Sequence, residues 1–320
     1  MLQRPLAKLR WLKTRAAPLL HLAAFFSGGS ALAARGQRAL RIIMLHGVGD
    51  ESYPLPVFRA QMRFLARCYR VVPLDRLVAL ATDPGARPTH QLALTFDDGL
   101  RNNLTLAYPV LRSLGLPATF YVCPGVIEEG GWIWTVEARV RLAWMETGAR
   151  AELARHFGLE TSEVEQVQHW MKTLPDGERR RVFAELVEAT RAYRPTARDR
   201  ADHDVMSWDE LGQLDPAVVT VGSHTVSHPM LTRCSSVDQA REIAESQAWI
   251  ERRLGRPVRH FCYPDAFHDE SAVRLVAGRY DSAVTDVGLV KPGADPYRLP
   301  RIPVAVNLPY LAWRMHRPHA

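Results

Sequence analysis

Leu92-Ala93-Leu94-Thr95-Phe96-Asp97-Asp98-Gly99 is an apolar run that ends in two adjacent carboxylates and a glycine. Such a run reads as a buried strand delivering its acids to the rim of a sheet. About 125 residues later, Ala217-Val218-Val219-Thr220-Val221-Gly222 delivers Ser223-His224-Thr225-Val226-Ser227-His228-Pro229 in the same way. One carboxylate and two imidazoles supply three ligands to a divalent cation and leave a position open for water. The remaining carboxylate is then free to act as a base. Asp-Asp alone is an ordinary solvated turn, and His-x-x-x-His alone recurs in many helices. The information lies in both sets standing just past strand-like runs.

Working outward, further strand-like runs are Arg41–Leu45, Arg70–Val72, Ala118–Val122, Val258–Cys262, Ser282–Thr285 and Ile302–Val304. Between most of them lie helical patterns, as in Val57–Tyr69, Leu104–Leu114, Val237–Leu254 and Ser271–Arg279. Strands alternating with helices predict a parallel α/β sheet with right-handed crossovers. Eight or so such units over some 260 residues fit a closed or distorted barrel better than an open sheet, and place the chemistry at the C-terminal ends of the strands. Asp97, Asp98, His224, His228, His46 and Tyr263 all follow strand-like runs. Residues 126–205 break the rhythm with Trp132, Trp134, Trp144 and Trp170 and a charged helical pattern. They read as a helical insertion on the active-site side, either a lid or a subdomain whose tryptophans fill its own core.

Thr95-Phe96-Asp97-Asp98-Gly99 and the Ser223–Pro229 segment resemble the first two motifs of the polysaccharide deacetylases, the NodB-homology group of carbohydrate esterase family 4. Ile43–Val48, Met206–Leu211, His260–Asp265 and Leu299–Val304 resemble the segments around them, so the likeness runs in order over residues 41–305. It implies a distorted (β/α) barrel of seven or eight strands spanning 41–310. It also implies Asp98, His224 and His228 as metal ligands, Asp97 as general base, and the backbone around Tyr263 and Pro264 as the oxyanion contact. Zinc is the default for such ligands, with cobalt, nickel or manganese suiting similar ones.

Two departures stand out. The family's third motif carries an arginine that braces the catalytic aspartate, whereas this chain reads Phe261-Cys262-Tyr263-Pro264-Asp265. Arg301 is the candidate substitute. The usual Leu-x-x-His is replaced by Leu308-Pro309-Tyr310-Leu311, without a histidine. His46, ending the first strand, becomes the candidate acid or substrate contact, with His268 second; His21, His90, His169 and His260 read as surface or structural.

Of 320 residues, 47% are hydrophobic and 23% charged, an ordinary globular composition. The net charge of +7 is localised: residues 1–41 hold eight basic side chains and no acid, leaving 33 basic against 34 acidic elsewhere. A nearly neutral body gives nucleic-acid binding no electrostatic support. The basic end points to an anionic membrane surface. Residues 1–40 accordingly read as an amphipathic surface helix, an anchor or a cleaved signal, or as a helix closing the bottom of the barrel. The expected location is membrane-associated on the cytoplasmic face, with a secreted or periplasmic location as the alternative. Four scattered cysteines suit a reducing compartment rather than a disulfide scaffold.

The expected function is metal-dependent de-N-acetylation of an N-acetylated amino sugar, in a polysaccharide or a lipid-linked glycan. The rivals are hydrolysis of another small amide or formamide on the same scaffold, and a catalytically inactive glycan-binding module. Insertion tryptophans lining the pocket would favour a sugar; absence of bound metal would favour the inactive module.

Overall fold

The computed structural model describes residues 19–319 apart from Arg38 and Thr89. Its strands are β1 (Arg41–Leu45), β2 (Arg70–Val71), β3 (Gln91–Phe96), β4 (Ala118–Val122), β5 (Val219–Ser223), β6 (His260–Cys262), β7 (Ser282–Val287) and β8 (Leu299–Pro303). All pair in parallel in the order β1-β8-β7-β6-β5-β4-β3-β2. β1 also pairs with β3, from Arg41 opposite Leu92 to Leu45 opposite Phe96. That pairing closes seven strands into a barrel and leaves two-residue β2 on the outside of the start of β3. The result is the distorted (β/α) barrel expected from the sequence.

Strand alternation sorts the side chains. Leu92, Leu94 and Phe96 point outward, with Ile43, Phe120, Val221 and Phe261, into a core shared with Phe58, Met62, Leu111 and Ile243 of the surrounding helices. Ala93, Tyr121, Cys262 and Val284 point inward. Thr95 and Arg301 share that interior, and Asp97 continues the inward row at its C-terminal end. The period of two therefore aims the first carboxylate down the barrel axis.

The opposite end of the barrel is closed by helix Leu74–Thr82, which the sequence reading passed over. Its Leu74, Leu77, Val78 and Ala81 join Leu40, Ile42 and Leu299. Its Asp75 lies 3.1 Å from His260, the first residue of β6. The described part of the N-terminal segment, a helix over 19–26 followed by Gly29–Gly36, packs on the flank of the barrel: His21 stacks on Tyr310 and Phe25 meets Phe64. Residues 1–18, where most of the amphipathic pattern falls, lie outside the described residues. No helix among the described residues is long and apolar enough to cross a membrane.

Between β4 and β5 lie seven helices: Pro124–Glu129, Trp134–Trp144, Thr147–His156, Val164–Thr173, Asp176–Ala189, Ala197–His203 and Trp208–Gly212. Trp134, Leu142, Val167, Met171 and Leu186 form a separate core for the helices from Trp134 to Ala189.

Gly222 in β5 has no room for a side chain. A Cβ there would stand 2.5 Å from Cδ1 of Tyr121 and 3.0 Å from the His260 carbonyl. Tyr121 is fully buried, so its ring has nowhere to go. Gly222→Ala is expected to cost about 1–3 kcal/mol by overpacking, read as a lower denaturant midpoint at unchanged slope. A loss below about 0.5 kcal/mol would show that the barrel interior can yield at this point.

Candidate active site

Asp97 and Asp98 leave β3 in different directions because the chain turns between them. Asp97 donates its N–H to the Leu45 carbonyl at 2.9 Å, prolonging the β1–β3 ladder. Asp98 (φ 70°) and Gly99 (φ 64°) are then both left-handed, a conformation that Asp tolerates better than most residues and Gly adopts freely. A side chain at Gly99 would meet Val122 Cγ1 at 2.9 Å, so the turn also depends on the missing Cβ.

His224 continues β5, donating its N–H to the Val122 carbonyl at 2.9 Å. Its Nδ1 lies 2.8 Å from the Cys262 carbonyl. That bond requires the proton on Nδ1 and leaves the Nε2 lone pair facing the site. The following loop contains left-handed Thr225 (φ 67°) and His228 (φ 59°). Buried Glu242 braces it, accepting from the Val226 N–H at 2.8 Å, the Ser227 N–H at 2.9 Å and Ser227 Oγ at 2.8 Å. The indole of Trp134 donates to the His228 carbonyl at 2.8 Å, tying the insertion to this loop.

The turn and the loop converge. Asp98 Oδ1 lies 3.6 Å from His224 Nε2 and 3.5 Å from His228 Nε2. All three residues are buried, and Asp98 Oδ1 has no hydrogen-bond donor. Ligand atoms on a tetrahedron around an ion, at about 2.0–2.1 Å from it, stand roughly 3.3–3.4 Å apart. The orphaned oxygen and the two Nε2 atoms therefore fit a divalent cation. Burial, then the charges of His224 and Lys172, push His228 well below the ordinary imidazole value, toward the neutral form that a ligand needs. Burial pushes Asp98 up against the opposing charges of His46 and His224, with Asp97 and Asp265 adding to the rise. A carboxylate in that position calls for a cation. A second cluster, Asp97, His224 and Cys262, also has its ligand atoms close together, but Arg301 already supplies its positive charge.

Arg301 binds Asp97 through two parallel bonds, Nη1 to Oδ1 and Nη2 to Oδ2, each 2.7 Å. It also reaches Thr95 Oγ1 at 3.2 Å and Cys262 Sγ at 3.2 Å. Burial would raise Asp97, yet the Arg301 charge and its two hydrogen bonds outweigh it, and the carboxyl is held well below the ordinary range. Arg301 thus makes, from β8, the contact that the third motif lacks. His46 Nε2 lies 3.9 Å from Asp97 Oδ2 at the mouth of the site, with its side chain half exposed.

These groups line a cavity of about 640 Å³, with Thr135, Arg139, Gln168 and Lys172 of the insertion on its far wall. The insertion therefore completes the site, but with polar side chains rather than its tryptophans. Tyr263 and Pro264 do not themselves line the cavity. Tyr263 points outward, fully buried, with its hydroxyl on the Tyr297 carbonyl at 3.2 Å. The next two residues, Asp265 (φ 48°) and Ala266 (φ 60°), turn inward and line the cavity instead. His268 is turned away, with Nδ1 on the Ala266 carbonyl at 2.8 Å. Helix Leu308–Arg314 contributes nothing to the cavity. The sequence reading missed Lys172, which pairs with Asp265 at 2.9 Å, and the braces Glu242 and Trp134. A lysine on a charged helix 93 residues from its partner carries no local signal.

Three solved structures share the fold. A deacetylase from Streptococcus pyogenes, PplD, aligns with a TM-score of 0.59 at 16% identity, covering 87% of this chain and 98% of that one. IcaB from Ammonifex degensii gives 0.58 at 16%, covering 87% and 98%. The BpsB deacetylase domain from Bordetella bronchiseptica gives 0.54 at 14%, covering 84% and 96%. No curated protein matches the chain in sequence. The family model for polysaccharide deacetylases matches residues 85–280, a span that holds Asp97, Asp98, His224 and His228 but neither His46 nor Arg301. The chain belongs to the polysaccharide deacetylase family.

Proposed function

We propose that this protein is a metal-dependent hydrolase removing the acetyl group from an N-acetylated amino sugar within a glycan. The observation that carries the reading is the convergence of Asp98, His224 and His228 on one point, with Asp97 beside them and outside the ligand set. The acetate-bound Streptococcus pyogenes structure supports it by likeness of fold.

A divalent cation held by Asp98, His224 and His228 would polarise the amide carbonyl and lower the pKa of water from 15.7 to about 7. The chain supplies the rest. Asp97, oriented by Arg301, takes the proton that water gives up as its oxygen bonds to the carbonyl carbon. His46, at the cavity mouth, donates a proton to the sugar nitrogen as the carbon–nitrogen bond breaks. Acetate and the free amine leave. The pairing with Arg301 lowers the basicity of Asp97 but fixes its oxygens in one plane, and orientation is what a short proton transfer requires.

The test is acetate release from N-acetylglucosamine oligomers and from lipid-linked N-acetylated sugars. Chelation is expected to stop release, and added zinc, cobalt, nickel or manganese to restore it. Asp97→Asn is expected to lower kcat/KM by about 10²–10⁴-fold. Release from none of these substrates, or release indifferent to both chelator and Asp97→Asn, overturns the reading.

A further inference from the structure

We infer that the insertion carries a second sugar-binding subsite built on Trp144. The inference rests on the de-N-acetylase reading above and adds where a further ring of the glycan binds.

A second cavity of about 650 Å³ shares Arg139, Glu165 and His203 with the catalytic one. Each is of the size that holds a whole small ligand. The two adjoin at those side chains, and the second is lined by Val140, Ala143 and Trp144 of helix Trp134–Trp144. One ring sugar at the catalytic centre would fill only the first.

The second cavity is built around an aromatic platform. Trp144, the last residue of that helix, is 49% exposed, and its ring meets Tyr193 at 5.8 Å in an edge contact. Tyr193 is itself fixed: its hydroxyl donates to Asp199 Oδ2 at 3.0 Å, and the Arg141 guanidinium lies 5.3 Å from its ring centre. Arg141 is in turn held by Glu137 and by the Thr190 carbonyl. A half-exposed indole kept still by this chain is preorganised for a flat partner. Other tryptophans are committed elsewhere. Trp132 donates to Asp204, Trp134 to the His228 carbonyl and Trp208 to Glu128, while Trp170 stacks on Phe157.

Polar groups suited to hydroxyls flank the platform. Arg139 and Glu165 line both cavities, and neither forms an ion pair among the described residues. An open aromatic face with unengaged donors and acceptors beside it matches a pyranose ring, whose C–H face is apolar and whose rim is hydroxylated.

The test measures kcat/KM for acetate release from N-acetylglucosamine and its dimer, tetramer and hexamer, with wild type, Trp144→Ala and Trp144→Phe. Wild type is expected to gain about tenfold or more between monomer and tetramer. Trp144→Ala is expected to lose about 3- to 10-fold on the tetramer, with the monomer unchanged and Trp144→Phe recovering most of the loss. Equal rates at all lengths, or an equal loss on monomer and tetramer, overturns the subsite. If no oligomer yields acetate, the deacetylase reading fails by itself. The subsite is then decided by intrinsic fluorescence of the same proteins titrated with the hexamer: quenching in wild type that disappears in Trp144→Ala upholds it, and no quenching overturns it.

Discussion

Asp98→Ala is expected to abolish metal-dependent acetate release without weakening the metal-free fold. The carboxylate is buried, and its Oδ1 accepts no hydrogen bond. Without a cation it is a buried acid whose Oδ1 has no donor, and burial pushes it toward its protonated form. Deleting it removes that cost, so the metal-free melting temperature should hold or rise. Added metal separates the two proteins. At a hundred times its dissociation constant a ligand stabilises the folded state by about 2.7 kcal/mol, a gain that wild type should show and the variant should lack. A deficit of even ~4 kcal/mol in transition-state stabilisation is about a thousandfold in rate. Metal content per chain, melting with and without metal, and kcat/KM together check this. A variant that keeps one ion per chain and activity within tenfold of wild type would place the cation elsewhere.

How much of this could be read from the sequence depends on how local each feature is. β1 and β4 were legible to the residue, because a buried parallel strand is a short apolar run between breakers. The two acids and two histidines were legible because each pair lies within five residues just past a strand-like run. Arg301 was legible only as a candidate; its partner is 204 residues away, and only barrel closure through β8 shows that it points inward. Helix Leu74–Thr82 escaped notice although Leu74, Leu77, Val78 and Ala81 follow helical spacing, since nine residues rarely separate from noise. The residues after β6 that line the cavity, Asp265 and Ala266, stand just beyond the Tyr263-Pro264 pair named from the sequence. Left-handed Asp265 and Ala266 turn the chain there, and neither is the glycine that announces such a turn. The polar wall of the insertion was the least legible part. Thr135, Gln168 and Lys172 reach the cavity through a tertiary arrangement to which no spacing corresponds.

The interior of the barrel lets Asp97 be braced from β8: it needs only that a guanidinium reach the carboxylate from inside. β6 and β8 flank β7 on the same closed sheet, so either can send an inward residue there. Cys262, inward on β6, touches the guanidinium of Arg301 at 3.2 Å. A small thiol on β6 therefore leaves room for the guanidinium that β8 sends inward.

Arg301→Leu puts the pairing with Asp97 to the test and should be the most destabilising single change in the barrel. Asp97 and Arg301 are both almost fully buried, at 3% and 2% exposure. Removing one member of such a pair strands the other charge and costs about 3–5 kcal/mol. The pH dependence identifies the cause. In wild type the carboxyl of Asp97 is held below its unfolded value, so its contribution is complete above the ordinary carboxylate range and is lost as pH falls through that range toward the folded value. In Arg301→Leu burial acts unopposed, the folded value rises above the unfolded one, and the variant is penalised as pH climbs out of that range. The stability gap between the two proteins should therefore be widest near neutrality and narrow below about pH 4. Asp97→Asn in the Arg301→Leu background carries no charge to strand and should recover part of the loss at neutral pH, while remaining inactive. Urea midpoints for the three proteins at pH 7 and at pH 4 supply the comparison. A gap under about 1 kcal/mol at pH 7, or one that does not change with pH, would mean that Asp97 is not held ionised by Arg301, and the assignment of the base would fall with it.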